Sequence, residues 1–167
     1  MSSEEQARLY SQVLEMLQEA DGDFVPPLSS RSSATQQSLS ETVIRSTGVQ
    51  EYFQELTRQR FAVVIEKEKL IAFVSYKENY TCEYIHALPN IYISTLIVRP
   101  YARGRGVTTA LYQKLFDHYA HSHIFTRTWS TNFAHIRVLE KYGFSITKTL
   151  PNHRGNGIDT VYFQRKP

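Results

Sequence analysis

The chain has 167 residues, of which 41% are hydrophobic, 13% aromatic and 21% charged; this fits one domain with a buried core and excludes a wholly disordered protein. Seven glycines and six prolines exclude collagen-like and Pro-rich architectures, and a lone cysteine, Cys82, excludes an intrachain disulfide and a Cys-rich zinc module. Net charge is +3, but residues 1–98 carry 8 Lys/Arg against 13 Asp/Glu while residues 99–167 carry 11 against 3. The split reads either as a solvated surface with chance asymmetry or as a basic side for an anionic ligand facing an acidic side for a cationic one. No apolar run reaches bilayer length, and the stretch from Met1 to Arg8 is acidic without an apolar segment, so the expected location is a reducing cytoplasm, away from membranes.

In chain order, Leu9, Val13, Leu14 and Leu17 repeat at helical spacing behind Ser2 and Ser3, predicting a helix over 4–20 that ends at Gly22. Residues 23–40 hold Pro26, Pro27 and a serine-rich run over 29–40, with little to bury; they read as a mobile linker or a lid over a substrate site. A second helix is predicted over 41–58 with Val43, Ile44, Val49, Tyr52, Phe53 and Leu56 inward, broken near Gly48. The period then changes. Residues 61–66 and 70–76 read as a hairpin around Lys67, Glu68 and Lys69, with Tyr84–His86 as a possible extension of the pairing. Strands over 91–98, 124–129, 144–150 and 160–164 alternate with helices over 107–119 and 132–141. One domain is expected over 1–167, of α/β class: residues 1–60 helical and on the substrate side, residues 61–167 a mixed sheet with helices packed on it.

Chemistry concentrates where a strand ends and a helix begins. Gly104 and Gly106, separated by Arg105, stand directly before the helix opening at Val107 and Thr108. Glycines let backbone N–H groups converge, the helix N-terminus adds partial positive charge, and Arg103 and Arg105 add full charges, a set suited to phosphate oxygens. Taken alone, such a turn is also a common tight connection. The absence of Gly-Lys-Ser/Thr excludes a P-loop, and the missing third glycine argues against a dinucleotide fold.

The segment resembles the acyl-CoA loop of the GNAT-type N-acetyltransferases, whose pattern Arg/Gln-x-x-Gly-x-Gly/Ala is read here across Arg103, Gly104, Arg105, Gly106, Val107 and Thr108. A second match follows: a strand over 124–129, then Asn132 opening a helix that ends in Gly143-Phe144. The likeness covers about residues 60–165 and is weak before them. It implies a GNAT-like fold: a central, mostly antiparallel sheet with splayed central strands and helices on both faces. It also implies acetyl-CoA as co-substrate, no metal, and transfer of acetyl to a primary amine by direct attack on the thioester. On that basis Leu96, Ile97 and Val98 would pair with the pantetheine arm and stabilise the oxyanion, residues 103–108 would cradle the pyrophosphate, and Asn132 would line the cofactor side or simply cap its helix.

The proton chemistry is less defined. Relatives often place a tyrosine four residues before the glycine of the Gly-Phe pair, where this chain has Leu139. Tyr142, Tyr92, Ser94 and Glu83 are the candidates for acid and base, with Thr95 and His86 behind them. Tyr76, Tyr80, Tyr84 and Tyr92 would either form an aromatic wall for an ammonium group or serve as ordinary strand residues. His118, His121 and His123 lack thiolate or acidic partners nearby in sequence, so no metal is expected. The acceptor is expected to be a small-molecule amine and not nucleic acid, with the protein a monomer or homodimer. A protein or peptide N-acetyltransferase and a non-catalytic acyl-CoA sensor are the alternatives.

Overall fold

A computed structural model of the chain describes residues 1–40 and 47–167. Helix α1 runs Ser3–Ala20, fixed at its start by a capping box in which Ser2 and Glu5 exchange hydrogen bonds. Helix α2 spans Gln50–Leu56, shorter than the 41–58 expected; Gly48, at φ +59°, bends the chain just before it, and Glu41, Val43 and Ile44 of the expected helix lie outside the described residues.

The sheet has six strands: β1 (Arg60–Glu66), β2 (Lys69–Glu78), β3 (Asn90–Val98), β4 (His123–Trp129), β5 (Ser145–Leu150) and β6 (Thr160–Arg165). Helices α3 (Val107–His118) and α4 (Phe133–Lys141) complete the fold. Strand order is β1-β2-β3-β4-β6-β5, and every neighbouring pair is antiparallel except β3–β4, so the sheet is mixed and mostly antiparallel as expected. The hairpin turn is the two residues Lys67 and Glu68, both at positive φ, because Lys69 already pairs with Glu66.

Alternation along the strands sends apolar side chains to both faces. On one face α3 and α4 bring Leu111, Leu115 and Leu139 against Ala72, Val74, Ile91 and Ile124. On the other, α1 and α2 bring Val13, Leu17, Tyr52 and Leu56 against Leu70, Phe73 and Ile97. Arg99 ties α1 to the sheet, donating to Leu70 O at 2.8 Å and pairing with Glu15 and Glu19 at 3.2 and 2.9 Å.

The serine-rich stretch differs from its composition-based expectation. Leu28, Ala34 and Leu39 are buried and Arg31 is only 5% exposed. Ser29 donates both its N–H and its hydroxyl to Asp21, each at 2.7 Å. A few well-spaced apolar residues and side-chain bonds to the backbone pack this segment onto the α1/α2 side, so it is not a free linker.

Candidate active site

Strands β3 and β4 pair only from Asn90↔His123 to Ile93↔Thr126. The register of β3 on β2 slips between Ser75↔Thr95 and Tyr76↔Ile93, leaving Ser94 as an extra residue in β3. Such a bulge bends the strand and moves its side chains out of phase. Ile93 and Leu96, three residues apart, therefore pack on the same α3/α4 core. Thr126 Oγ1 donates to Ile93 O at 3.0 Å at the last paired position, and beyond it the strands diverge into a cleft of about 550 Å³.

One wall of the cleft is β3 from Ile93 to Val98, hydrogen-bonded on its other edge to β2. The opposite wall comes from Thr126, Arg127, Thr128 and Trp129 of β4, with Asn132, His135 and Val138 following. At one end the loop after β3 supplies Arg103, Gly104 and Gly106, and α3 adds Val107, Thr108 and Thr109. Gly104 and Gly106 sit at φ +72° and +75°, a conformation that strains any residue with a Cβ, and a Cβ placed there would meet no atom within 4 Å. The tight turn, not crowding, requires glycine here. No side chain caps α3, so the first-turn amides are free of intrahelical acceptors and of a capping oxygen.

The expected cofactor-side residues Leu96, Ile97, Val98, Arg103, Gly104, Gly106, Val107, Thr108 and Asn132 thus all line one cleft. Arg105 does not: its guanidinium turns away to Glu66, 2.7 Å off. Arg103 faces Asp23 at 3.7 Å and donates to Val98 O at 3.2 Å. Asn132 precedes α4 without capping it; its amide donates instead to Thr128 Oγ1 at 3.0 Å.

The candidates for proton transfer are dispersed. Ser94 lines the cleft and donates to Gln59 Oε1, whose amide in turn donates to Glu55 at 2.9 and 3.1 Å. Tyr92 is buried against Tyr80, centroids 4.8 Å apart, in a core with Phe125 and Tyr162, and does not line the cleft. Glu83 is exposed in the loop between β2 and β3, where its carbonyl oxygen lies 2.8 Å from His86 Nε2. Tyr142 follows α4 and does not itself line the cleft; its hydroxyl donates to Thr109 Oγ1 on α3, which does. Leu139 is fully buried in the core.

The four tyrosines form no common wall. Tyr76 packs beside Tyr119 on the α3 side, while Tyr80, past the end of β2 and the turn at Asn79, and Tyr84 lie on the other face under Lys77 and Lys148 of the chain itself. Among the described residues no three His, Cys, Asp or Glu side chains are grouped to hold a metal, and no helix is long and apolar enough to cross a membrane.

Sequence reading missed Arg127, Trp129, Phe24 and His135 as cleft residues. The Trp129 and Phe24 rings meet at 5.7 Å, tilted by 54°, from distant parts of the chain, which no local pattern announces. His135 is half-buried beside Tyr112, and desolvation pulls its pKa down to about 4, so it is neutral near pH 7.

The sequence profile of the acetyltransferase (GNAT) family matches residues 29–144. The chain belongs to the GNAT acetyltransferase family. No curated protein sequence gives a match. Among solved structures, this acetyltransferase is similar to a Streptococcus mutans UA159 protein at TM-score 0.66 and 16% identity, covering 94% of this chain and 92% of that one. It is similar to a ribosomal-protein-alanine N-acetyltransferase from Brucella melitensis at TM-score 0.62 and 15% identity, with 95% and 94% covered. A third likeness is to a Bacillus anthracis structure solved with acetyl coenzyme A, at TM-score 0.53 and 19% identity; there 65% of this chain spans 62% of the other. The TM-scores and coverages of these structures show a shared fold.

Proposed function

We propose that this acetyltransferase binds acetyl-CoA in the β3–β4 cleft and transfers the acetyl group to the primary amine of a small molecule. The observation that carries the reading is the convergence on one cleft of the open β3 edge, the 103–108 turn and the uncapped start of α3. The donors suit the ligand: first-turn amides and Arg103 for the pyrophosphate, and β3 backbone groups from Leu96 to Val98 for the amide-containing arm. A backbone N–H of the bulged strand near Leu96 and Ile97 would donate a hydrogen bond to the attacked carbonyl oxygen and stabilise its developing charge. Bound acetyl-CoA supplies the activated acyl group; the chain's part is to hold it, exclude water and orient the amine.

Of the four candidate acid–base residues, Ser94 is the one that borders the cleft, and Gln59 holds its hydroxyl in place. We assign it the role of orienting the amine or a water beside the bulge. Support for a small acceptor comes from residues 24–37, which lie along the α1/α2 side of the sheet through hydrogen bonds from Arg127 to the carbonyls of Ala34 and Gln36 and from Arg154 to that of Val25. A segment packed along that side favours a compact amine over a protein terminus. The cysteine count accords with a reducing cytoplasm as the place of reaction.

Thermal unfolding tests the cofactor. Acetyl-CoA held at about 100 times its dissociation constant adds roughly 2.7 kcal/mol, which raises the midpoint by several degrees. A rise with acetyl-CoA and CoA but not with ATP or NAD is the expected result. No rise with either would overturn the assignment.

A further inference from the structure

The acceptor side of the cleft carries a cluster of cations without acids. Arg31 and Arg154 are each 5% exposed, and Arg127 is half-buried on the cleft wall. Among the described residues none of the three has a carboxylate within ion-pair distance; the cations in the ion pairs there are Arg8, Arg60, Lys77, Arg99, Arg103 and Arg105. Asp21, which acts on Arg31 electrostatically, already accepts two hydrogen bonds from Ser29. The acidic half therefore does not supply an acidic acceptor pocket, contrary to one reading of the charge split.

The partners of the three guanidiniums are neutral. Arg31 donates to Pro26 O, Arg154 to Val25 O and Thr160 Oγ1, and Arg127 to Tyr162 and to the carbonyls of Ala34 and Gln36. Each guanidinium carries five N–H groups, so the two, two and three bonds made among the described residues leave donors over. Aromatic faces link the cluster to the cleft: Arg31 lies 5.7 Å from the Phe24 ring and Arg154 5.8 Å from the Trp129 ring, and both rings line the cleft with Arg127. Burial first, and then Arg31 and Arg127 as neighbours, pull Arg154 down to about 9. Buried like charges without a counter-ion are unfavourable unless an anion completes the site.

We infer that the acceptor amine of this acetyltransferase carries an oxyanion, a carboxylate or a phosphate, held against Arg127 at the Phe24–Trp129 side of the cleft with Arg31 and Arg154 behind it. The inference rests on the acetyl-CoA reading of the same cleft. The amine would thus be presented to the thioester by its anionic end, with Arg127 as a specificity-determining residue.

The test uses the full chain and follows release of CoA thiol from acetyl-CoA. Common amino acids are compared with their carboxamides, and O-phosphoethanolamine with ethanolamine. Hydrogen bonds to a charged group predict that the anionic member of a pair is preferred about ten- to a hundredfold in kcat/KM. Preference in the amino-acid arm identifies a carboxylate, and preference in the phosphate arm identifies a phosphate. In Arg127→Gln the ratio within the preferred pair falls towards one. As a second readout on the parent protein, N-acetyl amino acids and inorganic phosphate are added with CoA, and the unfolding midpoint is compared with that given by N-acetyl amino acid amides. Equal or better use of the neutral amines, or a panel without turnover in which no anionic ligand raises the midpoint above its neutral counterpart, overturns the inference. Loss of the acetyl-CoA shift itself would instead overturn the cofactor reading.

Discussion

The Tyr52 hydroxyl lies 2.6 Å from Thr95 Oγ1, joining α2 to β3 one residue beyond the bulge at Ser94. Both residues are essentially removed from solvent, so each hydroxyl is the other's substitute for water. Thr95→Val leaves the Tyr52 hydroxyl buried without that partner and is expected to cost about 1–3 kcal/mol. Adding Tyr52→Phe should recover part of the loss, with a coupling of about 1 kcal/mol by urea unfolding of the double-mutant cycle. Strict additivity would show that the two hydroxyls do not depend on each other.

Gly106 and Arg103 act on the same end of the cleft for different reasons. Gly106→Val forces a β-branched residue into φ +75° and should destabilise the chain by about 1–2 kcal/mol while weakening acetyl-CoA binding. Arg103→Ala removes a long, exposed contact to Asp23 and an exposed hydrogen bond to Val98 O, so its midpoint should stay near the parent's while its acetyl-CoA affinity falls. Calorimetric titration of both variants reads the two effects separately. Parental affinity in both would displace the phosphate cradle from residues 103–108.

Ser94 and Tyr142 separate by position. Ser94→Ala is expected to lower kcat about tenfold or more while acetyl-CoA still binds, because it removes a hydroxyl beside the bulge. Tyr142→Phe removes a bond to Thr109 on the α3/α4 side and should lower stability by about 1 kcal/mol with kcat within about twofold of the parent. The opposite ranking of kcat would exchange their roles.

His135 makes stability depend on pH. Its folded pKa of about 4 lies below the ordinary value of 6.5, since desolvation disfavours the imidazolium. The unfolded chain therefore takes up this proton first as pH falls. The contribution is fully present above about pH 6.5 and is lost as pH drops towards 4, with an upper bound of about 3 kcal/mol. His135→Gln should flatten this part of the pH profile in denaturant titrations; an unchanged slope would place the acid sensitivity elsewhere.

The elements themselves were largely legible in the sequence. The β-branched and aromatic runs of β1 to β4, the helical spacing of Leu9, Val13 and Leu17 and the Gly104–Gly106 turn are set by short-range sterics and burial, and the structure has them within a few residues of expectation. The serine-rich stretch was misread because its anchors are distant in sequence: Arg127 and Arg154 hold its carbonyls across 91 and 129 residues. The candidate site divides in the same way. The 103–108 turn is contiguous and carries its own geometry, whereas the bulge at Ser94 exists only through its register on β2, and the splay only through where β3 and β4 stop pairing. Side-chain direction decided the rest. Ser94 and Thr95 are consecutive in β3, yet both hydroxyls reach partners on the α1/α2 side, Gln59 and Tyr52, because the extra residue breaks the alternation between them. The sequence by itself determined the strands, the helices and the glycine turn; the tertiary structure alone decided which of their side chains share a cleft, since that depends on strand order and register, which no local residue pattern encodes.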